Sequence, residues 1–403
     1  MPEPVIVATA RTPIGRAFKG SLVDLRPDDL AATIVRAALA KVPQLDPTEI
    51  DDLVLGCGLP GGEQGFNMAR VVAVLADLPT VPGTTVNRYC SSSLQTQRMA
   101  AHAIKAGEGD VFVAAGVECV SRFAKGNSDS LPDTQNPKFE DAARRSDKRA
   151  EGGQGPWTEP AGLADIYIAL GQTAENVVEQ EGVSRQEMDE FAALSQNRAV
   201  ESQTNGFFER EITAVDLPGG GQATKDDGPR PDTTVEVLST LKPAFRPDGT
   251  VTAGTACPLN DGAAAVIVMS DTRAKELGIT PLARIVSTGV TALSPEIMGL
   301  GPIEASRQAL ARADMTIADV DLVEINEAFA AQVIPSAKHL GIPWDKLNVN
   351  GGAIALGHPF GMTGARIMCT LLNGLEDAGK TVGLETMCVG GGQGMAMIVE
   401  RLN

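Results

Sequence analysis

Aromatic residues are scarce in this 403-residue sequence, with 11 Phe, 2 Tyr and 2 Trp, and only three histidines occur. The six cysteines, Cys57, Cys90, Cys119, Cys257, Cys369 and Cys388, form no CxxC pair and no Cys/His ligand spacing. That excludes a recognisable zinc site or disulfide framework and fits a reducing cytoplasm. No run reaches the ~18 apolar residues of a membrane span, and the start, MPEPVIVATARTPIG, lacks the basic-then-apolar order of a leader, so no membrane association is expected. Basic residues are outnumbered 34 to 51, for a net charge of -17, which leaves no basic face for nucleic acid. An anionic ligand must meet a local patch. Lys138 to Arg149 and Lys225 to Arg246 are the candidates, although such clusters are commonly solvated surface.

What the chain does have is size, glycine and an internal echo. It exceeds the ~250–300 residues at which one hydrophobic core stops growing, so at least two packed units are expected. Near the start, a helical stretch (Leu30 to Leu39) leads to LDPTEIDDLVLG, TTVNRYC, a helix from Ser91 to Ala106 and the apolar strand VFVAAGV. Near the end, Ser306 to Ala313 leads to MTIADVDLVEIN, NVNGGAIALGHP, a helix from Thr363 to Leu375 and VGLETMCV. Short apolar strands alternating with helices predict an α/β fold with buried sheets, and the repetition predicts two such halves stacked together. Between them, Ser121 to Gly249 opens with about thirty polar residues, read as loop, followed by helical patterns at Ala174 to Gln180 and Arg185 to Ala199. An insertion this long suggests a lid or a segment covering a ligand, with plain linker as the alternative.

Cys90 follows a strand-like segment and opens a helix, where unpaired N–H groups and the helix dipole favour a thiolate. A buried structural cysteine is the competing reading. His358 lies in GGAIALGHPFG, a glycine-rich turn that feeds a helix and roughly answers Cys90 in the other half. His102 and His339 lie within helical patterns and read as packing or surface. Cys388 ends an apolar strand and runs into Gly390 to Gly392, whose exposed N–H groups could hold an oxyanion, with a tight turn as the alternative. Asn326 and Glu327 end the strand-like VDLVEI, where they either face a pocket or, for Asn326, cap a helix. GLEDAGKT matches a phosphate-loop pattern but stands between a helix and a strand, the reverse of the required order. GGGQG is followed by a strand, not a helix, which removes the dinucleotide reading.

Together these pieces resemble the thiolase family over essentially the whole chain, through RTPIG, VNRYCSSSLQ, TAGTACPLNDGAA, NEAFA, GGAIALGHPFGMTGAR and CVGGGQG. The resemblance implies a duplicated thiolase fold, two stacked mixed sheets in a five-layered α-β-α-β-α arrangement with an inserted loop domain. It places the N-terminal half at residues 1–120, completed by about 250–274, the loop domain at 121–249 and the C-terminal half at 275–403. It also implies that Cys90 takes the acyl group as a thioester with His358 as its activator, and that Cys388 moves the proton at the acetyl Cα. His358 with a water held by Asn326 would form one oxyanion hole, and the N–H groups of Cys90 and Gly390 the second. Around coenzyme A and the acyl chain the matching positions are Arg230, Phe245, Ala253, Cys257, Met298, Phe329 and Leu170.

Three positions depart from the family pattern: Leu170 replaces a usual Met (and Ala169 a His found in short-chain biosynthetic members), Cys257 replaces a Ser and Ser93 a Gly. The expected function is a 3-ketoacyl-CoA thiolase, using coenzyme A as substrate with no tightly bound cofactor, in a homodimer or homotetramer. The rivals are an acetoacetyl-CoA-forming thiolase, a decarboxylating ketoacyl synthase and a non-enzymatic acyl-CoA-binding protein.

Overall fold

A computed structural model of the chain describes residues 2–125 and 134–403. The first half contains β1 (Pro4–Arg11), β2 (Gly15–Arg16), α1 (Pro27–Ala40), β3 (Asp52–Gly56), α2 (Met68–Leu75), β4 (Gly83–Val86), α3 (Ser92–Ala106) and β5 (Val111–Cys119). The middle segment holds α4 (Glu140–Ala150), α5 (Leu170–Glu181), α6 (Arg185–Thr204), the short β6 (Val215–Asp216) and β7 (Gln222–Ala223), and α7 (Val235–Ser239). Then follow β8 (Asn260–Ser270), α8 (Asp271–Glu276), β9 (Ala283–Ala292), α9 (Gly301–Arg312), β10 (Leu322–Ile325), α10 (Ala330–Leu340), α11 (Ala353–Leu356), α12 (Thr363–Asp377), β11 (Val382–Val389) and β12 (Gln393–Arg401).

The repeat read from the sequence reappears in the hydrogen bonds. β3 pairs parallel with β4 and β5, while β5 and β1 pair antiparallel with β8. β10 likewise pairs parallel with β11, which pairs antiparallel with β12, which pairs antiparallel with β9. An isolated parallel bridge from Val323 to Leu347 stands where β4 stands in the first half. Even the strand entries match: Asp51 accepts from the N–H groups of Asp110 (2.7 Å) and Val111 (2.9 Å), and Asp321 accepts from Thr381 (3.0 Å) and Val382 (2.9 Å). A two-residue antiparallel ladder, Val5 with Arg284 and Ile6 with Ala283, joins the halves into one ten-stranded sheet.

Burial on both faces explains the apolar runs VFVAAGV in β5 and AAAVIVM in β8, since every residue of each strand is buried. One core lies between the first half-sheet and α1 and α2, and another between the second half-sheet and α9 and α10. The third is central and includes Leu94 and Ile104 of α3 with Ile367, Met368 and Leu371 of α12. The layers therefore run helix, sheet, helix pair, sheet, helix. In the middle layer the starts of α3 and α12 abut: a Cβ on Gly364 would lie 2.4 Å from the backbone nitrogen of Leu94, so only glycine permits the approach.

The middle segment is pinned by buried ions. Arg11 of RTPIG is fully buried, reaches Asp226 at 2.8 and 2.9 Å and Glu211 at 2.6 Å, and sits over the Phe208 ring at 5.3 Å. Glu296 accepts from Trp157 (2.8 Å), the Asp165 N–H (3.0 Å) and Arg145 (2.5 Å). The polar stretch expected as loop contains α4, a helix with Glu140 and Asp141 in its first turn and Lys148 and Arg149 in its last, the order its dipole favours. Residues 126–133 of that stretch lie outside the described residues. The basic patch Lys138 to Arg149 is accordingly no open anion site: Arg144, Arg145 and Arg149 pair with Asp141, Glu296 and Glu179. Among the described residues no helix is long and apolar enough to cross a membrane.

Candidate active site

Cys90 occupies a one-turn 3-10 segment, Tyr89–Ser91, that runs directly into α3. The reversal from β4 into the helix is made at Tyr89, whose φ is +42°. Hydrogen bonds from Tyr89 N to Asn87 Oδ1 (2.8 Å) and from Ser92 Oγ to the Tyr89 carbonyl (2.6 Å) hold that unusual backbone. Cys90 is 3% exposed, and its sulfur is approached by two backbone N–H groups, its own and that of Gly390.

The helix start was expected to favour a thiolate, and burial overrules it. A helix terminus is worth about 0.3–1 kcal/mol, under one pK unit. Burial is the largest influence on Cys90, the Glu118 charge adds to it, and the thiol is pushed up from 9.0 to about 12. The resting group is therefore a thiol that needs a base.

His358 is that base in form. Its backbone N–H donates to Asn260 Oδ1 at 3.0 Å, and Asn260 Nδ2 donates to the Gly15 carbonyl at 2.9 Å, fixing the loop. The hydroxyl of Thr363 donates to the Pro359 carbonyl at 2.8 Å, so towards His358 Nδ1, at 2.6 Å, it is the acceptor. Nδ1 thus carries the ring proton and Nε2 is left open, receiving the Asn326 side-chain amide at 3.3 Å. Burial, then the Arg366 charge, lowers the imidazole from 6.5 to about 3, which keeps the ring neutral at rest, with the Nε2 lone pair available.

Asn326 immediately follows β10, with its backbone N–H on the Thr386 carbonyl at 3.0 Å. It caps nothing, because the cap of α10 is Phe329. Glu327 instead braces the glycine-rich loop, accepting from Ser195 (2.6 Å), Asn348 (2.8 Å) and the Ile354 N–H (3.0 Å).

Cys388 lies opposite Gly394 in the β11–β12 ladder and is fully buried. Burial raises its thiol well above the usual range, and the neighbouring Cys90 and Cys257 raise it further. The turn that follows requires glycine: Gly391 and Gly392 have φ of +74° and +76°, and a Cβ on Gly392 would lie 2.3 Å from the Leu293 carbonyl oxygen.

A cleft of about 420 Å³ is lined by Cys90, Gly390 and Gly391 together with Leu59, Tyr89, Ile166, Leu170 and Phe360, while His358, Asn326 and Cys388 lie buried and are not part of its lining. Phe360 joins the two ends of the site, since it lines the cleft and packs edge to face on His358 at 5.1 Å between ring centroids.

The remaining sequence candidates fall into two places. Phe245 and Phe329 form an edge-to-face pair at 5.8 Å, and with Met298 and Cys257 they belong to the apolar cluster that contains Cys388. The Cys257 N–H donates to the Ala328 carbonyl at 3.0 Å. Arg230 and Ala253 line a small recess that Arg16 also faces. Burial and then the Arg16 charge lower the Arg230 pKa, the mark of two guanidinium groups side by side. Arg16, Thr363, Asn260 and Glu118 went unassigned in the sequence. Glu118 had a visible signal, a single acid inside an apolar strand. Among the described residues no group of three or more His, Cys, Asp or Glu could hold a metal ion.

Comparison with known proteins places this geometry in context. Residues 4–272 match the family model described as thiolase, N-terminal domain, and residues 279–401 match thiolase, C-terminal domain. A 3-ketoacyl-CoA thiolase of Saccharophagus degradans is 46% identical over 99% of this chain and 98% of its own length. One of Bacillus subtilis is 43% identical over 99% of this chain and 100% of its own. The crystal structure of the Bacillus anthracis acetyl-CoA acetyltransferase superposes with a TM-score of 0.86 at 38% identity, covering 100% of this chain and 99% of the other.

Proposed function

The chain belongs to the thiolase family, and from that premise we propose that it is a 3-ketoacyl-CoA thiolase whose nucleophile is Cys90. The observation that carries this reading is the pair of N–H groups, from Cys90 and Gly390, aimed at one sulfur in the lining of an apolar cleft. Two aligned donors at a nucleophile suit the oxyanion of an acyl transfer, each worth about 3 kcal/mol in the transition state.

In the thiolysis direction, the Cys90 proton passes to His358 Nε2 and the sulfur attacks the 3-keto carbonyl. The Cα–Cβ bond breaks, leaving Cys90 acylated and acetyl-CoA as its enolate, whose Cα takes the Cys388 proton. The enolate oxygen faces His358 and the Asn326 amide. A coenzyme A thiol then attacks the Cys90 thioester, its proton restores Cys388, His358 returns its proton to the departing Cys90 sulfur, and the shortened acyl-CoA leaves. Both carriers end as they began. Coenzyme A enters and leaves as a substrate. Its phosphates suit Arg230 with Arg16, its pantetheine arm runs past Ala253, Phe245, Phe329, Met298 and Cys257, and Leu170 walls the acyl chain.

The middle segment, residues 121–249, acts as the covering domain, supported by Ile166 and Leu170 in the cleft wall. The chain also works as a homodimer or homotetramer in the cytoplasm: β4 is a sheet edge, Phe66, two residues before α2, is 98% exposed, and all six cysteines are free. Light scattering on a sizing column checks the assembly, and a monomer would remove it.

The decisive measurement is thiolysis across 3-ketoacyl-CoA chain lengths, with the acyl adduct located by mass spectrometry. Turnover of chains longer than acetoacetyl-CoA, through an adduct on Cys90, is expected. Activity confined to acetoacetyl-CoA favours the acetyltransferase reading, which the Bacillus anthracis relative represents, and an inert Cys90 favours a binding protein.

A further inference from the structure

One buried acid near the site is held in a way that packing alone does not require. Glu118, the penultimate residue of β5, is 0% exposed. Its Oε2 accepts from the N–H groups of Gly58 (2.7 Å) and Gly361 (2.9 Å). Its Oε1 accepts from Gln64 Nε2 (2.6 Å) and the Leu59 N–H (3.3 Å), with Cys57 Sγ at 3.8 Å. The Gln64 amide is not free to turn, because its Oε1 takes the Cys119 N–H at 2.6 Å while Nε2 also serves the Leu59 carbonyl at 3.0 Å. Every hydrogen-bonding neighbour of the carboxyl group is therefore a donor, and none could receive a proton from it. Such a cage favours the anion and works against burial, which raises the carboxyl above its usual range.

The cage also has a place in the site. Gly58 and Leu59 follow β3 in the first half, and Gly361 lies three residues beyond His358 in the second. Leu59 and Phe360 both line the cleft that holds Cys90. The fit is close, since a Cβ on Gly58 would meet Glu118 Oε2 at 2.8 Å, Phe360 Cβ at 2.8 Å and the Tyr89 carbonyl at 3.3 Å. One carboxylate thus ties the backbone after β3, part of the cleft wall, to the loop carrying His358.

We propose that Glu118 is a positioning residue for acyl transfer, a buried carboxylate that clamps the His358 loop to the first half. This rests on Cys90 as nucleophile and His358 as base. Geometry supplies the clamp, and the charge of the clamped carboxylate also raises the Cys90 thiol.

Glu118→Gln separates this from a merely structural role, because it keeps the shape while removing the charge and turning an NH2 against N–H donors. The first readout is the pH dependence of Cys90 alkylation by iodoacetamide, followed on the Cys90 peptide. Its midpoint should fall by about half a pH unit or more once the anion is gone. The second is thiolysis, where kcat should drop about tenfold or more, the equivalent of one charge-assisted hydrogen bond lost from the transition state, with KM for the 3-ketoacyl-CoA little changed. Glu118→Asp keeps the charge and shortens the clamp, so it should retain the wild-type alkylation midpoint while losing kcat. An unmoved midpoint in Glu118→Gln, or wild-type kcat in either variant, overturns the proposal. If Glu118→Gln does not fold, Glu118→Asp decides it by the same kcat criterion. Acetylation of Cys90 in the wild-type enzyme is the control, and its failure would indict the assignment of the nucleophile rather than of Glu118.

Discussion

The hydroxyl of Ser93, in the first turn of α3, accepts the backbone N–H of Ala365, in the first turn of α12, at 2.8 Å. Ala365 is one of the first-turn residues whose N–H has no partner within its own helix, so Ser93 caps α12 from the neighbouring helix. Family members usually carry Gly here, and the serine of this chain has a structural job. Ser93→Gly should destabilise the protein by about 1–2 kcal/mol through one orphaned buried N–H and a helix-interior glycine. Thermal unfolding checks this, and an unchanged midpoint would show the contact to be idle.

Thr363 fixes the tautomer of His358, so Thr363→Val should leave the fold intact and impair the base. With no acceptor at Nδ1 the ring loses its bias towards an open Nε2, and a hydrogen bond of about 1.5 kcal/mol missing from the transition state lowers kcat about tenfold. Thr363→Ser should restore most of it. Equal kcat in the valine variant and the wild type would count against the tautomer argument.

His358 also marks the acid limb of stability. Its pKa is lowered on folding from 6.5 to about 3, so its contribution is present above pH 6.5 and is lost as the pH falls towards 3. In that window the unfolded chain binds one more proton, a slope of about 1.4 kcal/mol per pH unit. Glu324 runs the other way: raised from 4.5 to about 8 by burial, it contributes below pH 4.5 and is lost as the pH rises through 8. Unfolding midpoints against pH should therefore be flatter below pH 6.5 in His358→Asn and flatter between pH 4.5 and 8 in Glu324→Gln. Curves parallel to wild type in both would refute the assignments.

Arg11 neutralises two buried carboxylates, Asp226 and Glu211. Arg11→Ala strands both, and a buried pair broken on one side costs about 3–5 kcal/mol. Arg11→Lys should recover little, because an ammonium cannot reproduce the fork on Asp226. A loss under about 1 kcal/mol in Arg11→Ala would mean the carboxylates are neutral in the fold.

How far the sequence could be read depended on whether the signal was local. The duplicated plan was legible because apolar strands and glycine turns recur in order, and the shared role of Asp51 and Asp321 shows the repeat extends to single hydrogen bonds. Cys90 and His358 stood out because both precede helices in turns that demand unusual backbone. Helix α4 was hidden: it has few apolar residues, and arginines bonded to the distant Glu296 and Glu179 anchor it. The thiol state of Cys90 was hidden too, since burial is a property of the assembled layers and outweighs the helix start visible in the sequence. Arg230, Phe245, Ala253, Met298 and Phe329 carried no local pattern and were reached only through resemblance.

The strand order has a consequence for synthesis on the ribosome. β5 and β1 never touch as partners; β8 lies between them, and everything from Val120 to Leu259 must be made before it arrives. Until then the emerging first half holds two unpaired apolar edges, the state most prone to mispairing with other chains. Loop closure itself adds only about 0.6 kcal/mol per doubling of length, so the hazard is one of waiting time.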